Sequence, residues 1–201
     1  MKIGIVCYPT FGGSGVLATE LGIELSKKGY EIHFITYNQP VKLELLSNKV
    51  HYHEVMVPDY PLFHYQPYEL ALSTKVVDMV KKHEIELLHV HYAIPHAYAA
   101  YMAKNMLKYE GINIPVVTTL HGTDITLVGS HPSYKAAVEF SINKSDAVTA
   151  VSESLKKDTE ELFNINTNIE VIPNFINLDK YPSERKEKTR NPVQNKAQEW
   201  Q

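Results

Sequence analysis

Short apolar runs alternate along the chain with longer stretches in which apolar residues recur every three or four positions. Met1–Val6 (MKIGIV) reads as a buried strand. Val16–Lys28, with Val16, Leu17, Leu21 and Leu25 at helical spacing, reads as a helix. Glu31–Tyr37 is a second strand, introduced by Lys28-Gly29 as a helix stop, and Val50–Val57 a third. Pro58–Pro67 holds three prolines and three aromatics and reads as a loop. A helix over Tyr68–His83, a strand over Ile85–Tyr92, a helix over His96–Gly111 and a strand over Pro115–Leu120 follow. A helix near Ser133–Lys144, a strand at Ala147–Val151, a helix from Ser152 to about Phe163 and a strand from Ile169 complete the series.

This alternation predicts an α/β fold, a doubly wound, Rossmann-like parallel sheet with helices on both faces. Ligands in such sheets bind beyond the C-terminal strand ends, which selects the loops Tyr8–Gly15, Tyr92–His96, His121–Pro132 and Ser152–Glu153. The pattern ends near Tyr181. Residues 1–181 are expected to form one Rossmann-like domain. Residues 182–201, apolar only at Val193, Ala197 and Trp200 from Ser183 onward, are expected to be a disordered or loosely docked polar tail.

Composition narrows the partners. Of 201 residues 44% are apolar, enough for a sizeable core, and the net charge of −3 argues against nucleic acid or an anionic membrane surface. Cys7 is the single cysteine, so no internal disulfide or cysteine cluster is expected. No apolar run is long enough to span a membrane, and no signal-peptide pattern opens the chain, so a cytoplasmic location is expected.

The chemistry gathers at the strand ends. Gly12-Gly13-Ser14-Gly15 lies where a strand gives way to a helix, a place where free N–H groups and the helix dipole favour an anion. Gly13–Ala18 fits G-x-G-x-x-A, but the preceding loop is long and no acid ends the second strand, which counts against a nicotinamide cofactor. No G-K-S/T follows, which excludes a P-loop. His51-x-His53 and His89-x-His91 each place two imidazoles on one side of a strand. Neither pair has an obvious third ligand nearby in sequence, so no metal site is expected. His89 reads as structural, while His91 lies near enough to the strand end to reach a ligand. Thr118–Thr126 (TTLHGTDIT) gathers hydroxyls, an imidazole and a carboxylate, a set that can orient polyols or only fix its own loop. Tyr92 ends a strand and stands equally well as packing or as a ligand donor, and Pro95-His96 opens a helix.

CYPTFGGSGVLATELG, HVHYAIPHAYAAYMAK, TTLHGTDIT, SDAVTAVSESL and VIPNFI, in this order, resemble the N-terminal half of family 4 glycosyltransferases of the two-Rossmann-domain type. The resemblance covers about Met1–Tyr181. It implies retaining transfer of N-acetylglucosamine from UDP-N-acetylglucosamine, a donor substrate rather than a cofactor, to the hydroxyl of L-malate. It further implies that Gly12, Gly13, Ser14 and Gly15 face malate and the donor diphosphate. Ser14, Tyr92, Thr119 and His121 would line the acceptor pocket with Asp124 in the same loop, and His121 would act as the catalytic residue nearest the sugar. The paired-glutamate E-x7-E motif and the donor-binding domain of that family are missing from the pattern after Tyr181. The chain is therefore expected to be an acceptor half, inactive alone, that works as a homo-oligomer or with a separate donor domain. A non-catalytic module for small carboxylates or sugars, or a nucleotide-dependent oxidoreductase, would share much of this pattern.

Overall fold

The fold is described by a computed structural model for residues 1–40, 43 and 48–176, so the expected tail at 182–201 lies outside the described residues. The strands are β1 (Lys2–Val6), β2 (Glu31–Thr36), β3 (Val50–Glu54), β4 (Leu87–His91), β5 (Val116–Leu120), β6 (Ala147–Ala150) and β7 (Ile169–Val171). They form one sheet in the order β3-β2-β1-β4-β5-β6-β7, every pair parallel. The helices are α1 (Ser14–Lys27), α2 (Tyr68–His83), α3 (Tyr98–Tyr109), α4 (Pro132–Lys144) and α5 (Glu153–Leu162). Strand order reverses between β1 and β4, so the switch point lies where the turns after these two strands meet.

Alternation along the strands builds two cores. Val6, Ile35, Leu88, Val90 and Val116 point to the face covered by α2 and α3, while Ile3, Ile5, Ile32 and Phe34 point to the face covered by α1. Burial of each such side chain stabilises the fold by about 1.5–3 kcal/mol. A third cluster, around Leu120, Val138, Ile142 and Val148, seats α4.

The helical spacing in α1 is as expected, but its buried face is not the apolar one. Ser14, Gly15, Ala18, Thr19, Gly22 and Ser26 are buried, whereas Val16, Leu17, Leu21 and Leu25 are only half-buried. Close approach explains the choice, because a Cβ on Gly22 would stand 2.5 Å from Phe34 Cζ and 3.0 Å from Ile5 Cδ1. Leu17, Leu21 and Leu25 instead border a groove floored by His89, Val117, Thr119 and Thr149.

A five-residue π-helical turn, Thr123–Leu127 after β5, and a kinked turn, Ala93–Ala97 after β4, broken by the extended backbone of Ile94, stand between strand and helix where simple loops were expected. β3 is shorter than the pattern predicted, ending at Glu54 rather than Val57.

Candidate functional site

The turn after β1 carries the first part of the site. Gly13 is the N-cap of α1 with φ +53°, a conformation that suits glycine, and no side chain caps the helix. Leu17 N–H is bonded to the Gly13 carbonyl at 3.3 Å, the first turn of the helix, so the amides before it have no intrahelical acceptor. No acid stands in that turn. Gly12 and Gly13 face open space, with nothing within 4 Å of a built Cβ. Gly15 differs. Its Cβ would lie 2.4 Å from the Tyr8 carbonyl oxygen and 2.7 Å from that of Thr10, so it makes room for its own loop and is buried.

Tyr92 leaves β4 with φ +83°, rare for a bulky residue. That backbone sends its side chain across the switch point, where Ser14 Oγ donates to Tyr92 Oη at 2.8 Å. Tyr8 packs edge-on against Tyr92, with ring centroids 5.2 Å apart.

The turn after β5 supplies His121. Its Nε2 lies 2.8 Å from His91 Nδ1, one ring donating to the other, and its ring is 5.1 Å from that of Tyr92. Among the described residues its Nδ1 has no hydrogen-bond partner. Burial, and then the neighbouring His89 and His96, hold the His121 imidazole down to about 4, so it is neutral at pH 7. His91 is buried and reaches the site through His121 rather than directly.

Asp124 does not pair with the His121 ring. Its carboxylate accepts from the backbone N–H of Ala93 at 2.9 Å, Gly122 at 3.0 Å and His121 at 3.2 Å, clamping the turns after β4 and β5 together. Burial raises its pKa, against the pull of those donors toward the anion. Thr119 is likewise engaged, between His89 Nε2 and Thr149 Oγ1 at 2.8 Å each, on the sheet face bordered by α1. Ser152 Oγ accepts from Leu155 N–H and caps α5, so the Ser152–Glu153 loop spends its hydroxyl on the helix.

Beside Tyr92 opens a cavity of about 670 Å³, walled by Tyr8, Tyr68, Tyr92, Tyr98 and Tyr134, with Asp124 and Thr123 at its edge. Sequence reasoning found Tyr92 and missed the other tyrosines. Tyr8 lay inside the opening motif, and Tyr68 begins α2 directly after Pro67, which were the available signals. Tyr68 Oη and His96 Nε2 are buried without partners among the described residues, while His96 Nδ1 donates to the His91 carbonyl at 2.6 Å. Tyr68 lines the cavity, and an unsatisfied buried group at a cavity wall marks a place for a ligand or water.

The other His-x-His pair lies away from this edge. His51 and His53 on β3 meet His33 on β2 and His83 at the end of α2, so the absence of a third ligand nearby in sequence does not hold in space. His33 and His53 are held down to about 4, chiefly by burial and then by neighbouring histidines.

Strand order and the switch point define a Rossmann-like α/β domain. The sequence profile of glycosyltransferase family 4 matches residues 11–180, and the chain belongs to that family. N-acetyl-alpha-D-glucosaminyl L-malate synthase of Bacillus anthracis is 51% identical over 176 residues, covering 88% of this chain and 45% of that protein. An uncharacterised glycosyltransferase of Methanocaldococcus jannaschii is 26% identical over 174 residues, 87% of this chain and 46% of that one. The chain thus spans about half the length of these curated relatives. The crystal structure of a glycosyltransferase from Rickettsia africae superposes with a TM-score of 0.65 at 22% identity, over 89% of this chain and 44% of that one, a likeness of fold. No helix among the described residues is long and apolar enough to cross a membrane.

Proposed function

We propose that this domain binds L-malate as the acceptor for N-acetylglucosamine, transferred from UDP-N-acetylglucosamine with retained anomeric configuration. The supporting observation is the Ser14–Tyr92 contact at the switch point, directly beside the uncapped start of α1. A carboxylate there meets backbone N–H groups and roughly half a positive charge from the helix. Among the described residues the adjoining cavity is bordered by Glu69 and Asp124 and by no lysine or arginine, so the anion is placed at the helix amides and the Ser14 and Tyr92 hydroxyls rather than deeper in the cavity. The relative from Bacillus anthracis, named for an L-malate product, supports malate as that anion.

His121 sits one side chain further along the edge. A neutral imidazole bonded to His91 through Nε2 offers Nδ1 to a hydroxyl of the transferred sugar. In this reading the family 4 domain, matched over residues 11–180, takes the acceptor, and the donor nucleotide binds a second, donor domain. Transfer then depends on bringing the two parts together, since positioning and charge stabilisation need a closed site.

Calorimetric titration tests the acceptor site. L-malate should bind the 201-residue chain in the millimolar range and the Gly13→Val variant at least tenfold more weakly. Unchanged affinity in that variant would count against the site. With the remaining half of the Bacillus anthracis relative added, transfer to malate should appear; malate binding with no turnover in that mixture would favour a binding module.

A further inference from the structure

We propose that His33, His53 and His83 form a binding site for a divalent transition-metal ion such as zinc. Each offers one ligand atom, and the three atoms all lie within 4.8 Å of one another. Two imidazole nitrogens on one tetrahedral zinc stand about 3.3 Å apart, as Zn–N bonds of about 2.0–2.1 Å require. His33 Nδ1 and His53 Nε2 are 2.9 Å apart, so they need to open by only a few tenths of an ångström.

The orientation of His33 supports coordination. Its Nε2 lies 3.1 Å from Glu31 Oε1. A proton held there for the carboxylate leaves Nδ1 as the lone pair, aimed at His53. This is the carboxylate–histidine–metal arrangement, in which an outer acid fixes the tautomer of the ligand. His51 Nε2 lies 3.4 Å from the same Glu31 oxygen. Imidazole nitrogens favour zinc, copper, nickel and cobalt over magnesium or calcium.

The topology makes the cluster. Parallel pairing sets His33 opposite His51 and Ile35 opposite His53, on the sheet face that α2 covers. His83 arrives as the last residue of α2, its ring 4.8 Å from His33 and 4.7 Å from His53. One cation would join β2, the edge strand β3 and the end of α2. The α2 helix starts at Tyr68 in the cavity wall, and its 16 residues carry the cluster about 24 Å from that end. Metal binding can therefore be read separately from transfer.

The test uses the tag-free 201-residue chain after dialysis against a chelator. Zinc is titrated in competition with a chromophoric chelator, and cobalt absorption reports the geometry. One equivalent should bind with sub-micromolar affinity, and zinc should raise the melting temperature. His53→Gln and His83→Gln should each weaken zinc at least tenfold, and Glu31→Gln should weaken it measurably. His64→Gln, at an exposed histidine outside the cluster, should change nothing. If His53→Gln does not fold, His83→Gln at the helix end carries the comparison. Equal zinc affinity in the parent and His83→Gln proteins, or an equal loss in His64→Gln, would overturn the site.

Discussion

Ser14 Oγ donates to Tyr92 Oη at 2.8 Å, joining the first residue of α1 to the residue that leaves β4 with φ +83°. The two stand 78 positions apart in sequence and meet because β1 and β4 are neighbours. Tyr92→Phe removes the acceptor while keeping the ring against Tyr8. We expect stability to fall by only about 1 kcal/mol, the net worth of one hydrogen bond. Malate affinity should fall more than that, by at least tenfold in calorimetry.

The glycines of the opening turn should separate by role. Gly12→Ala meets open space and should alter stability by less than about 0.5 kcal/mol. Gly15→Ala drives a methyl group to 2.4 Å from the Tyr8 carbonyl and should cost more than about 2 kcal/mol. Urea melts of the two variants decide this, and equal midpoints would contradict it.

Much of this was legible in the sequence, and the exceptions have physical causes. Buried parallel strands are short apolar runs, so all seven were found, as were the turns at β1, β4 and β5. The face of α1 was not. Periodicity marks where leucines recur, whereas small residues at Gly15, Ala18 and Gly22 decide which side can approach the sheet. The cavity tyrosines come from four different connections, and only the folded edge brings them together. His33 and His83 joined the β3 pair through strand register and helix length, neither visible as a local motif. The sequence offers Asp124 as a ligand group or as a residue that fixes its own loop, and its three backbone donors come together only in the fold.

His121 and Asp124 should fail differently. Asp124→Asn weakens the clamp on the turns after β4 and β5 and should lower the melting temperature by several degrees, since about 1 kcal/mol moves a domain of this size by a few degrees. His121→Asn should keep most of the fold while lowering kcat in the enzyme paired with its donor half. A His121→Asn protein that melts as early as Asp124→Asn would assign His121 to structure alone.

Acid should destabilise the domain in a defined window. His89, His96 and His121 are each held down to about 4 and His91 lower than usual, chiefly by burial. His33 and His53 carry the same sign. Above the unfolded value of about 6.5 both states are neutral and nothing is lost. As pH falls from there toward about 4, the unfolded chain takes up protons that the folded one refuses, so stability declines. Asp124, whose pKa burial raises, opposes this in part because its protonated form is the easier one to bury. Thermal melts between about pH 7 and about pH 4.5 should show a steady fall, and a flat profile would contradict the neutral imidazoles.

The missing side chain at Gly22 works as a gauge. It lies eight residues along α1 from Ser14, roughly 12 Å down a rigid rod. The separation it permits between Phe34 and the helix backbone fixes how high the rod rides on the sheet, and so where its first amides point. A methyl group added there would tilt the rod about its far end and spoil the aim of Ser14 on Tyr92 without touching either residue. The mouth of the site thus takes its calibration from an atom that is absent, two turns away.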